Sequence, residues 1–66
     1  MKIILNGEPC ECNDGMTLSA FLQAKELDLR YIAISLNRAF VPRAEYEAHT
    51  LRDGDDLEIL TPRQGG

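Results

Sequence analysis

A single histidine, His49, and only two cysteines, Cys10 and Cys12, leave this chain without the side chains that a structural zinc site requires. The cysteines form a C-x-C pair, which in a strand points both thiols to one face at a spacing poor for an unstrained disulfide. Their first reading is as small core-filling residues, with a redox or metal role as the minor alternative. Long hydrophobic runs are also missing. The apolar stretches are far too short to span a bilayer, and no signal-peptide pattern opens the sequence, so a cytoplasmic protein is expected. Repeats and low-complexity segments are absent as well. Basic residues are the minority, 7 against 11 acidic, for a net charge of −4. Such a surface repels phosphates and anionic headgroups, which argues against nucleic acid or membrane as partner and suits a basic protein surface. Finally, 66 residues make one domain, and a domain that short buries only about 60% of its unfolded surface. A deep pocket, a cofactor cleft and a fold do not fit together in it, so a self-sufficient enzyme and a bound cofactor are not expected. The chain reads as a monomer when alone.

What is present is a clear succession of elements. Lys2-Ile3-Ile4-Leu5 is β-prone, and Asn6-Gly7 is the strongest short-range hairpin signal, since a type I′ turn needs positive φ at both central residues. Residues 8–12 return as a second strand, which Pro9 assigns to a sheet edge, with Cys10 and Cys12 inward. Thr17 is a candidate helix N-cap, with Leu18, Phe21 and Leu22 at helical spacing and Met16 placed to staple against Phe21. The helix is predicted over 18–26. Ile32, Ile34 and Leu36 alternate with Ala33, Ser35 and Asn37 as in a half-buried strand. Asn37-Arg38 turns into a very short strand, Ala39-Phe40-Val41, stopped by Pro42. One irregular helical turn over 43–48 carries Tyr46. Asp53-Gly54-Asp55 is a tight turn before a last strand over 56–60 with Leu57 and Ile59 inward. One amphipathic helix then covers one face of a mixed, four- to five-stranded sheet, with the first strand parallel to a later one. This is an α+β, ubiquitin-like β-grasp roll.

The β-grasp domain is expected over 1–60, with 61–66 a flexible tail ending in Gly65-Gly66. Neither terminal residue has a Cβ, so the α-carboxylate can thread a narrow channel unhindered. The six residues after Leu60 reach about 20 Å when extended, enough to enter another protein's buried site while the body stays outside. A frayed end of no consequence is the plain alternative.

Taken together, Asn6-Gly7, Thr17-Leu18 with Phe21-Leu22, the run Ile34-Ser35-Leu36-Asn37, Val41-Pro42-Arg43, Asp53-Gly54-Asp55 and the closing Gly65-Gly66 resemble the ThiS family, over essentially the whole chain. These are the sulfur carriers of thiamine (thiazole) biosynthesis. The resemblance implies that a ThiF-type adenylyltransferase uses ATP and magnesium to adenylate the carboxylate of Gly66. A persulfide supplied by a cysteine desulfurase then displaces AMP, and thiazole synthase takes sulfur from the resulting thiocarboxylate. On this reading Gly66 is the modified residue, and Gly65, Gln64 and Arg63 thread the partner's channel. The chain is then a co-substrate with no catalytic residues and no metal of its own. Three alternatives stand beside it: a sulfur carrier for molybdopterin synthesis, a ubiquitin-like protein modifier, and a non-covalent binding module with an inert tail.

A docking surface is sought on the sheet face away from the helix. There Ile4 and Leu60 are expected side by side, with Phe40 close by, as an apolar patch; scattered surface hydrophobes are the alternative. Arg43 is expected to pair with Asp53 or Asp55, or to touch a partner, and His49 to be exposed near a turn. The acidic group Asp53, Asp55, Asp56 and Glu58 could steer a basic enzyme surface, or be a solvated turn.

Overall fold

The computed structural model describes residues 1–61, so the expected tail lies, apart from Thr61, outside the described residues. The chain opens with β1 (Lys2–Leu5) and β2 (Glu8–Glu11), an antiparallel hairpin turned by Asn6 at φ 50° and Gly7 at φ 86°. Helix α1 (Leu18–Ala24) follows, then β3 (Ala33–Leu36), β4 (Ala39–Val41) and β5 (Asp56–Leu60). The sheet order is β2-β1-β5-β3-β4, with β1 and β5 parallel and the other pairs antiparallel. This is the β-grasp arrangement, with Pro9 on an edge strand where its missing N–H costs no ladder bond.

Helix α1 starts where its cap dictates: the Thr17 side chain accepts from the Ala20 N–H at 3.1 Å. Its apolar stripe, Leu18, Phe21 and Leu22, is buried against Ile3, Ile34 and Leu57 from the three central strands. Val41, Tyr46 and Leu51 complete the core, and Met16, Cys10 and Cys12 pack around it. Each fully buried apolar side chain contributes about 1.5–3 kcal/mol, so three of them on one seven-residue helix outweigh its weak intrinsic tendency to form.

The helix stops two residues short of the predicted end. Lys25 is its C-cap, and Glu26 sits in the left-handed region at φ 61°. The Glu26 N–H donates to the Gln23 carbonyl at 2.9 Å and the Leu27 N–H to that of Leu22 at 3.3 Å. This is a Schellman closure without its usual glycine, hence its invisibility in the sequence. An unpredicted 3-10 turn at Leu29–Tyr31 is capped by Asp28, whose carboxylate accepts from the Arg30 N–H at 3.1 Å. The turn expected over 43–48 forms as a 3-10 segment, Arg43–Glu45, leading into buried Tyr46. Strand β2 ends at Glu11, one residue early.

Candidate functional site

The groups expected to carry chemistry, Gly66 and its neighbours Gly65, Gln64 and Arg63, lie outside the described residues. The structure shows the platform they are attached to. Strand β5 is the middle strand of five, and it delivers the chain to Thr61 from the centre of the sheet. On one side it pairs with β3 up to Leu60, which faces Ala33; on the other it pairs with β1 only as far as Leu57, opposite Leu5. Beyond that point the Asn6 side chain takes over, its carboxamide oxygen accepting the Ile59 N–H at 2.8 Å. Asn37 does the same at the other end of β5. Its side-chain oxygen accepts the Asp56 N–H at 3.0 Å, and its amide donates to Asp55 at 3.1 Å. Beside the tail root lies an open groove of 770 Å³ walled by Leu5, Leu27, Ile59 and Leu60, with Asn6 and Lys25 at its polar edge.

The sheet face opposite α1 carries Ile4, Asp56, Glu58, Leu60, Ser35 and Phe40. The strand registers separate its apolar members. Ile4 stands opposite Asp56 on β5 and Pro9 on β2, so Leu60 lies four residues further on, about 13 Å along the strand. The expectation that Ile4 and Leu60 sit side by side is therefore corrected. A parallel pair in which the first residues of β5 meet the last of β1 pushes the end of β5 past the hairpin. Phe40 faces Ser35, which in turn faces Glu58, so it lies two strand spacings from β5, about 10 Å. Leu60 is 65% exposed and Phe40 71%, whereas Ile4 is half-buried. The face is thus not a continuous patch: Asp56 and Glu58 lie between Ile4 and Leu60, and strand β3 with Ala33 and Ser35 lies between Leu60 and Phe40.

Several of the polar groups near the turns are engaged within the fold. Asp53 accepts from the Lys2 N–H at 2.9 Å, and Asp55 from the Arg52 N–H at 2.8 Å. Among the described residues neither pairs with Arg43, contrary to expectation: backbone donors in their own turn reach them first. His49 is half-exposed, 3.5 Å from a Glu45 carboxylate oxygen. The amino group of Met1 donates to the Cys12 carbonyl at 2.9 Å and lies 3.0 Å from Asp14. That hydrogen bond to Asp14 raises the amine above its ordinary range, against a smaller opposing effect of burial. Burial pushes the Cys12 thiol up in turn, which keeps it protonated and a weak nucleophile at neutral pH. No group of three or more His, Cys, Asp or Glu side chains that could hold a metal is found among the described residues. No helix among them is long and apolar enough to cross a membrane.

A model of the ThiS family matches residues 3–66, the terminal glycines included. The chain belongs to the ThiS family. The sulfur carrier protein ThiS of Thermus thermophilus is 37% identical over 62 residues, covering 94% of this chain and 95% of that one. The crystal structure of the thiamine biosynthesis protein ThiS from Geobacter metallireducens superposes with a TM-score of 0.86 at 28% identity, covering all of both chains. A thiazole synthase from Paramagnetospirillum magneticum is 36% identical over 66 residues, and this chain spans 20% of that protein's length. For a ThiS-family chain the sequence signals that matter were the Gly-Gly end and the order of turn motifs. The side-chain roles of Asn6 and Asn37 went unread, because Asn before a turn residue is explained by its tolerance of positive φ alone.

Proposed function

We propose that this chain is a sulfur carrier that holds sulfur as a thiocarboxylate on Gly66 and delivers it for thiazole formation. The observation that carries this reading is a family match that runs through Gly65 and Gly66. A β5 strand that hands the chain off from the sheet centre supports it. A free carboxylate is a poor electrophile, so a ThiF-type enzyme first joins it to AMP, consuming ATP with magnesium and releasing pyrophosphate. A persulfide from a cysteine desulfurase attacks the acyl carbon and AMP leaves. Thiol cleavage of the resulting acyl disulfide releases the thiocarboxylate, a soft anionic nucleophile at neutral pH. The carrier contributes the acyl group and its presentation; its partners contribute the catalysis. Thiazole synthase is the sulfur acceptor in this scheme, in line with the similarity to the Paramagnetospirillum magneticum protein. All of these steps belong to the cytoplasm.

The test is intact mass spectrometry of the protein isolated from its native cell. Exchange of one oxygen for sulfur adds about 16 Da, localised by fragmentation to Gly66. A terminus always found as the free acid, or joined to lysines of other proteins, overturns the carrier reading.

A further inference from the structure

Strand β1 turns away into its hairpin while β5 is still running, and one side chain bridges the gap. Bonds in a parallel ladder recur at two-residue steps. The Ile4 N–H donates to the Asp55 carbonyl at 2.8 Å, and the Asn6 N–H to the Leu57 carbonyl at 2.9 Å. In a continued ladder the Ile59 N–H would then reach the backbone carbonyl of residue 6. It meets instead the side-chain oxygen of Asn6 at 2.8 Å, at a residue already in the left-handed turn conformation. One further rung is thereby added to the ladder just before β5 ends at Leu60. The rung lies on the β1 side of β5, two positions before Thr61.

We propose that Asn6 is a positioning residue for the C-terminal tail: by holding Ile59 it sets the direction in which the tail leaves the sheet, and so how efficiently an activating enzyme captures the Gly66 carboxylate. The inference rests on the carrier reading. Activation requires the body to be docked and the terminal carboxylate to be seated in the same complex. Every backbone freedom at the tail root must then be lost on capture, and ordering one residue costs about 1–2 kcal/mol of conformational entropy. A root already fixed by the fold spares part of that cost, which is the gain expected of preorganisation. Position 6 asks for two properties together, tolerance of positive φ and a short side-chain carbonyl. Asn and Asp offer both; Gly offers only the first.

The discriminating variants are Asn6→Gly, Asn6→Asp and Asn37→Gly, each assayed for AMP release by a purified ThiF-type enzyme with ATP and magnesium across a range of carrier concentrations. Wild-type protein is assayed first, since failure of the wild type to be adenylated removes the carrier reading and this inference with it. With an active wild type, Asn6→Gly is expected to lower kcat/KM about three- to tenfold, the worth of one hydrogen bond, and to lose amide-exchange protection at Ile59. Asn6→Asp, which keeps the acceptor, is expected to recover both. Asn37→Gly removes the matching bond at the far end of β5, together with the Asn37 amide's bond to Asp55, and is expected to leave kcat/KM at the wild-type value. If Asn6→Gly is charged normally despite an unprotected Ile59, or if both glycine variants are impaired alike at equal folded fraction, Asn6 has only a structural role.

Discussion

Glu26 pays for a left-handed backbone that glycine would adopt freely. Its φ of 61° closes the Schellman turn after α1, and the side chain is exposed. A residue with a Cβ spends roughly 1–2 kcal/mol in that conformation, while glycine returns part of the gain through its freer unfolded chain. Glu26→Gly is therefore expected to stabilise the protein by about 0.5–1 kcal/mol, read as a higher urea midpoint at unchanged slope. At the opposite end of the chain the Met1 amine acts through charge. Its folded-state pKa is raised, first by the hydrogen bond to Asp14. Stability from this contact is complete below the amine's unfolded value of about 8 and is lost as pH rises through the higher folded value. The denaturation midpoint should fall as pH is taken from about 7 to 10, and N-terminal acetylation should remove that part of the slope. A slope that survives acetylation would assign it to other groups.

Strand β5 depends on two asparagines, one at each end, and each comes from a tight turn that connects its neighbours. The turns of the β1–β2 and β3–β4 hairpins both place an asparagine at positive φ, 50° for Asn6 and 53° for Asn37. Each also lends its side chain to a β5 amide. The central strand is thus tied to both hairpins beyond what backbone pairing allows. On the carrier reading, Cβ-free residues at 65 and 66 let the carboxylate pass a narrow channel, and Gly66→Ala is expected to reduce thiocarboxylate formation more than about 100-fold. Circular dichroism and melting should be unchanged, because position 66 follows the end of β5 by six residues. Sulfur loading of Gly66→Ala at the wild-type rate would remove the channel argument.

Across the whole molecule, the face opposite α1 presents Leu60 and Phe40 as separate exposed points on an acidic background. We propose that a partner that takes the terminal glycines sits over the end of β5, with Leu60 as its nearer anchor and Phe40 as the more distant one. We expect Leu60→Glu to weaken binding to the activating enzyme about tenfold or more, measured calorimetrically, with folding stability changed by less than about 0.5 kcal/mol. Ile4→Glu is a poorer test, because Ile4 is half-buried and the substitution charges on the fold as well as the interface. Equal affinity of Leu60→Glu and wild type would place the docking surface elsewhere.

Local rules that act over a few residues were legible without any structure. Alternation in 32–36, the Thr17 cap before Leu18, Phe21 and Leu22, and the Asn-Gly turn each depend on neighbours in the chain, and each appears where expected. Together they determine one helix, its buried stripe and the order of the strands. The end of α1 was not legible, because a glutamate closes it where glycine is the usual signal. Nor was the relation between Ile4 and Leu60, since register is set by how β1 and β5 slide past one another when Ile3 and Leu57 enter the same core. The bond from Ile59 to Asn6 joins residues 53 positions apart, a distance no local pattern spans. The sequence alone determined a helix-capped, ubiquitin-like order of elements and the Gly-Gly pair at 65–66; only the packed sheet decided which side chains hold the end of β5, because those contacts exist only once distant strands share a core.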